Sequence, residues 1–110
     1  MDNMKVQLLY FSGCPHWTVL EKRLREALEL LDDPSTIEYL QVESQGEAER
    51  LRFVGSPSLL LNGTDPFPSS TSAIGLSCRV YSTPDGPSGS PALEQLVGAL
   101  TAEARLTEHP

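Results

Sequence analysis

Sulfur is scarce in this chain. Cys14 and Cys78 are its two cysteines and His16 and His109 its two histidines. No Cys-x-x-Cys or His-x3-His pair exists, which argues against a tetrahedral structural zinc. Cations are also few. Eight Lys and Arg face fifteen Asp and Glu, leaving a net charge of −7, which argues against nucleic acid and anionic membrane as partners. No apolar run approaches the roughly 20 residues needed to span a bilayer. The start, Met1-Asp2-Asn3-Met4-Lys5, lacks the basic and apolar stretches of a signal peptide, so the expected compartment is the cytoplasm. There, two cysteines are expected to be reactive, metal-binding or buried, not a structural framework. A phosphate-cradling glycine loop is missing, and no Ser stands in a recognisable arrangement with His and Asp. ATP use and serine hydrolysis are unsupported.

What remains is a folded pattern. With 39% hydrophobic and 21% charged residues among 110, residues 1–110 read as a single domain with one core. An apolar strand over residues 5–10 feeds a Ser12-Gly13 turn. From 15 to 31, Trp17, Leu20, Leu24, Ala27, Leu28 and Leu31 recur at helical spacing. Glu21 with Arg25 and Lys22 with Glu26 support that helix on its polar face, and Asp33-Pro34 stops it. Residues 37–42 alternate as a second strand, 46–53 form a short polar helix, and Gly55-Ser56-Pro57 breaks the chain before a third strand at 58–61. After an Asn62-Gly63 turn, residues 64–77 read as a long loop insertion. The fourth strand is expected at 78–82 and a turn region at 84–89. Ser90-Pro91 opens a last helix carrying Leu93, Leu96, Val97, Leu100 and Ala104. Residues 107–110 are expected to be a frayed tail, which takes in His109.

The order is β-α-β-α-β-β-α. It predicts an α/β fold: a four-stranded mixed sheet with helices on both faces, the first two strands joined by a right-handed parallel crossover. The last two strands are expected to pair antiparallel. Cys14 occupies the strand-to-helix junction, and Pro15 suits a first helical position. Cys14 is therefore expected to be the N-cap, where unpaired N–H groups and the helix dipole favour a thiolate.

Two local motifs in this order resemble the thioredoxin-like superfamily, closest to its small glutaredoxin-type core. Cys14-Pro15-His16-Trp17 looks like the family's Cys-x-x-Cys with Trp17 in place of the second cysteine. Ser56-Pro57, just before the third strand, matches the family's cis-proline. The resemblance implies a thioredoxin-like fold, Cys14 as attacking cysteine and Pro57 as the cis-proline that exposes the Ser56 backbone to a partner. A second, local likeness is to alkylmercury lyases. Cys14 and Cys78 resemble that family's two metal-binding cysteines in context and separation. The lyases carry a catalytic Asp three residues after the first cysteine, and Trp17 stands there, which puts carbon–mercury cleavage in doubt.

Each candidate residue has a bland reading beside the functional one. Cys14 is a reactive or ligating thiol, or a small buried hydrophobe. Cys78 is a second ligand or resolving thiol, or a residue turned into the core by strand alternation. His16 is a proton carrier or thiolate stabiliser at the helix start, or simply exposed. Trp17 reads as core packing. The 43–52 charge cluster reads as solvated surface, and Asp65 as a turn residue with at most a distant proton-handling role. The expected topology separates the thiols. Four or five strand residues span about 15 Å, whereas a disulfide needs Cα atoms within about 7 Å. The thiols meet only if the 64–77 loop folds back, or if Cys78 precedes the paired strand.

The leading expectation is a thioredoxin-like cytosolic thiol protein using Cys14, with His16 and Pro57 at its site, for monothiol-type thiol–disulfide exchange with a small thiol or a protein disulfide. One alternative is soft-metal or organomercurial binding by Cys14, with or without Cys78. The other is a non-catalytic thioredoxin-fold adaptor. No cofactor is expected, apart from a thiophilic metal ion on the second reading. The sequence leaves the physiological substrate and the oligomeric state open.

Overall fold

Alternating side chains along Val6–Tyr10 make this strand, β1, the centre of a mixed α/β fold. The computed structural model describes residues 4–67 and 74–108. After β1 come α1 (Trp17–Leu30), β2 (Ile37–Gln41), α2 (Gln45–Leu51), β3 (Ser58–Leu61), β4 (Tyr81–Thr83), β5 (Gly86–Ser88) and α3 (Leu93–Glu108). The main sheet has the order β2-β1-β3. β1 runs parallel to β2, with Val6 opposite Ile37, and antiparallel to β3, with Val6 opposite Leu61.

Successive residues of a strand face opposite sides, and that splits the core. Val6 and Leu8 meet Leu20, Leu24 and Leu28 of α1, Leu59 and Leu61 of β3, and Leu96 and Leu100 of α3. Leu9 faces the other way, onto Val42, Ala48 and Phe53 around α2. Helices therefore cover both faces, as the sequence predicts. Each fully buried leucine contributes about 1.5–3 kcal/mol, and truncating Leu24 or Leu59 to Ala would cost about 2–5 kcal/mol.

Local signals set the helix ends. α1 starts at Trp17, not Pro15, and His16, not Cys14, occupies its N-cap. The reason is a tight turn ahead of it: the Cys14 N–H donates to Phe11 O (3.2 Å), so Cys14 and Pro15 lie outside the helix. At the far end, Asp32 takes φ 52, while the Asp32 and Asp33 N–H groups donate to Glu29 O and Leu28 O (3.0 and 2.9 Å). This pair of bonds closes the helix. In α2, Ser44 Oγ accepts from the Glu47 N–H (3.1 Å), and Glu47 Oε1 accepts from the Glu43 N–H (3.3 Å). α3 begins after Ser90-Pro91, with Gln95 Oε1 accepting from the Ala92 N–H (2.8 Å). α3 continues to Glu108, so Thr107 and Glu108 are helical where a frayed tail is expected. His109 lies outside the described residues, as does the 68–73 part of the 64–77 loop.

The four-stranded sheet is not what the described residues form. Asn62-Gly63 makes the expected turn, with φ 52 and 85, and Leu61 and Thr64 exchange both hydrogen bonds (2.8 and 3.0 Å) before the chain departs. The later strand does not return to β3. β4 pairs with β5 instead, Tyr81 opposite Ser88 and Thr83 opposite Gly86, as a separate antiparallel hairpin.

The cause lies just before β4. Residues 77–79 run beside Ser56 in a single parallel bridge, with the Ser56 N–H donating to Ser77 O (2.8 Å) and the Arg79 N–H to Ser56 O (2.9 Å). The buried Arg79 side chain holds this stretch in place. It donates to Asp65 Oδ2 (2.7 Å), to Ser58 Oγ (3.2 Å) and to Phe67 O, and lies 4.5 Å over the Tyr81 ring. Arg79 and Tyr81 thus face inward, while Cys78 and Val80 are exposed residues. Among the described residues, no helix is long and apolar enough to cross a membrane.

Candidate functional site

Folding back residues 77–79 brings the two cysteines together. Cys14 and Cys78, 64 positions apart in sequence, form a disulfide with a Cα–Cα separation of 5.8 Å. Cys78 precedes β4, and this meets the condition under which the two thiols can approach. The Ser56–Pro57 peptide beside the pair is cis, and Cys14 Sγ lies 3.5 Å from Ser56 O. Cys14, Cys78, Ser56 and Pro57 therefore form one cluster at the junctions before α1 and β3.

The two cysteines differ in exposure. Cys14 is fully buried, at 0% exposure, whereas Cys78 is exposed. The expectation that alternation turns Cys78 into the core fails, because Arg79 takes the inward position next to it.

The surrounding groups are fixed by identifiable bonds. Glu43 accepts from the Ser12 N–H (2.9 Å) and from Ser12 Oγ (3.0 Å), bracing the loop that leads to Cys14. The Ser12 backbone donor holds the Glu43 carboxyl below its ordinary range. Ser56 Oγ accepts from the Phe11 N–H (3.3 Å), and Tyr81 donates its hydroxyl to Pro57 O (2.5 Å). Burial pushes the Tyr81 hydroxyl well up, the nearby Arg79 opposes the shift and Asp65 adds to it, so the group remains a donor.

The other predicted residues divide. His16 is exposed and makes no capping hydrogen bond. Its ring rests on the Gly89 backbone, where a Cβ would come within 2.5 Å of His16 Cγ. Trp17 stacks on Tyr10, with centroids 4.3 Å apart, and packs at the border of the main core. Asp65 is the ion-pair partner of Arg79 and serves architecture. The Ser56 backbone is not open to a partner, since residues 77 and 79 occupy both its N–H and its C=O.

Sequence reasoning missed Arg79, Tyr81 and Glu43. A signal existed for the first two: an arginine inside a β-prone run, with an acidic residue and two turns around it. Glu43 lies in the charge cluster read as solvated surface, and nothing local marks it out.

Chemically, the cluster offers a disulfide that can be opened to two adjacent thiols. Among the described residues there is no group of three or more His, Cys, Asp or Glu able to hold a metal, so a metal at this site would have the two sulfurs as its ligands. No protein-family model matches the chain, and no curated protein matches it.

Proposed function

We propose that this is a thioredoxin-like thiol–disulfide exchange protein, acting in a reducing compartment such as the cytoplasm, whose redox-active pair is Cys14 and Cys78. The observation that carries the reading is the Cys14–Cys78 bond beside the cis Ser56–Pro57 peptide. The β2-β1-β3 order, with its parallel and antiparallel pairings, supports the thioredoxin-like architecture. In a reducing compartment such a bond is transient, catalytic or sensing. A partner in the exchange is a small thiol or a protein disulfide. The monothiol form of the reading gives way to a dithiol form, with the second thiol supplied by Cys78 where Trp17 cannot supply it.

Equilibration in glutathione redox buffers tests this. The count of free thiols should pass reversibly between two and none in one two-electron step, and the Cys14→Ser/Cys78→Ser double variant should not turn over a disulfide substrate. Turnover that persists in the Cys14→Ser/Cys78→Ser double variant would sink the proposal.

The same geometry favours a second reading, capture of a thiophilic ion such as Hg²⁺ between the two reduced sulfurs. Titration should then give one tight site per chain, lost in either single cysteine variant. Two independent equivalents would count against it. Carbon–mercury cleavage has little support, because Trp17 holds the position of the lyase carboxylate and Asp65 is committed to Arg79.

A further inference from the structure

We infer that the thiol partner becomes attached to Cys78, with buried Cys14 as the leaving and resolving sulfur, a reversal of the roles that the family likeness implies. The inference rests on the exchange reading above and specifies where the mixed disulfide forms.

Access is the ground. A thiolate attacks a disulfide along the S–S axis, from behind the sulfur it bonds to, so reach to that sulfur decides the site. Cys14 is a 0%-exposed residue, whereas Cys78 is an exposed one. Ile74, Leu76 and Val80 near it are 42%, 37% and 69% exposed. Residues 74–80 include no carboxylate, so an incoming thiolate meets no anion from the segment that carries Cys78.

The step balances as follows. A thiolate RS⁻ bonds to Cys78 Sγ, the Cys14–Cys78 bond breaks, and its electron pair leaves on Cys14. A second thiolate attacks the mixed disulfide at R, forming RSSR and releasing Cys78. Two thiols are oxidised, and the two cysteines gain two electrons and the two protons. In the other direction, reduced Cys78 attacks a partner disulfide and Cys14 resolves the adduct.

Peptide mapping of the reduced wild-type protein, pulsed with limiting iodoacetamide, tests the assignment without a variant. Label should fall on Cys78 at least tenfold faster than on Cys14, and the ratio should approach one in urea. As a second measurement, glutathione disulfide should yield a stable adduct on Cys78 in Cys14→Ser, and at least tenfold slower adduct formation on Cys14 in Cys78→Ser. Faster native labelling of Cys14, or faster adduct formation in Cys78→Ser, overturns the assignment while the exchange reading stands. A wild-type pair that does not cycle in glutathione buffers overturns both.

Discussion

Reducing the Cys14–Cys78 bond is expected to cost the fold about 4 kcal/mol. The bond joins residues 64 positions apart. In the chain-entropy relation a loop of that length gives up roughly 14–15 cal/mol/K in the unfolded state, which is about 4 kcal/mol at 25 °C. Folded domains gain roughly 2 cal/mol/K per residue on unfolding, so for this chain the loss corresponds to a fall in Tm of about 15–20 °C. The native bonds around the site do not alter this figure, because the constraint acts on the unfolded chain. Linkage gives a companion result: folding should favour disulfide formation about a thousandfold over the urea-unfolded chain. Circular dichroism melts with and without a phosphine reductant, together with the Cys14→Ser/Cys78→Ser double variant, read the effect. A change in Tm below about 3 °C on verified reduction would refute the reasoning.

Two further outcomes follow from the surroundings of the pair. Asp65→Asn leaves the 2%-exposed Arg79 guanidinium without its anion, and urea unfolding should show a loss of about 3 kcal/mol. Adding Arg79→Met should recover most of that loss, and a single variant within about 0.5 kcal/mol of wild type would contradict the anchoring role. Glu43 has a depressed pKa in the fold, so its bonds to Ser12 are fully present above the ordinary carboxylate value and are lost as pH falls through the lowered one. The Ser12 amide resonance should therefore titrate with a midpoint below 4.5, and a midpoint at or above that value would argue against the brace.

Periodicity made the first half of the chain legible. In α1 burial follows the helical spacing, at Leu20, Leu24, Ala27 and Leu28, whereas β2 alternates in sequence and holds no buried residue, and β3 is buried at Ser58, Leu59 and Leu61. The break at Gly55-Ser56-Pro57 was legible too, because proline directly before a strand has few conformational options. The stretch from Cys78 to Ser82 misled for a physical reason. Alternation alone cannot choose a face, and a slip of one residue inverts every side chain. Val80 looks like the core residue and Arg79 like the surface one, yet Val80 is 69% exposed and Arg79 is 4% exposed. What reverses them is non-local: Asp65, Ser58, Phe67 and the Tyr81 ring together compensate the buried cation. Pro84-Asp85-Gly86 carried a hairpin signal that its short flanks, Tyr81–Thr83 and Gly86–Ser88, were too brief to reinforce.

Ser56 has one N–H and one C=O to offer, and the parallel bridge spends both on residues 77 and 79. Any extended peptide laid against Pro57 would need those same two groups. Its competitor is a segment of the same chain, present at an effective concentration of about a millimolar. A free peptide at micromolar concentration is thus outcompeted by about a thousandfold before any contact of its own is counted. Opening the disulfide removes one hold on that segment, and the Arg79 anchor removes itself only if the guanidinium also leaves Asp65. The edge beside Pro57 is thus already filled by residues 77–79 of the same chain, and a peptide can pair there only after that segment leaves.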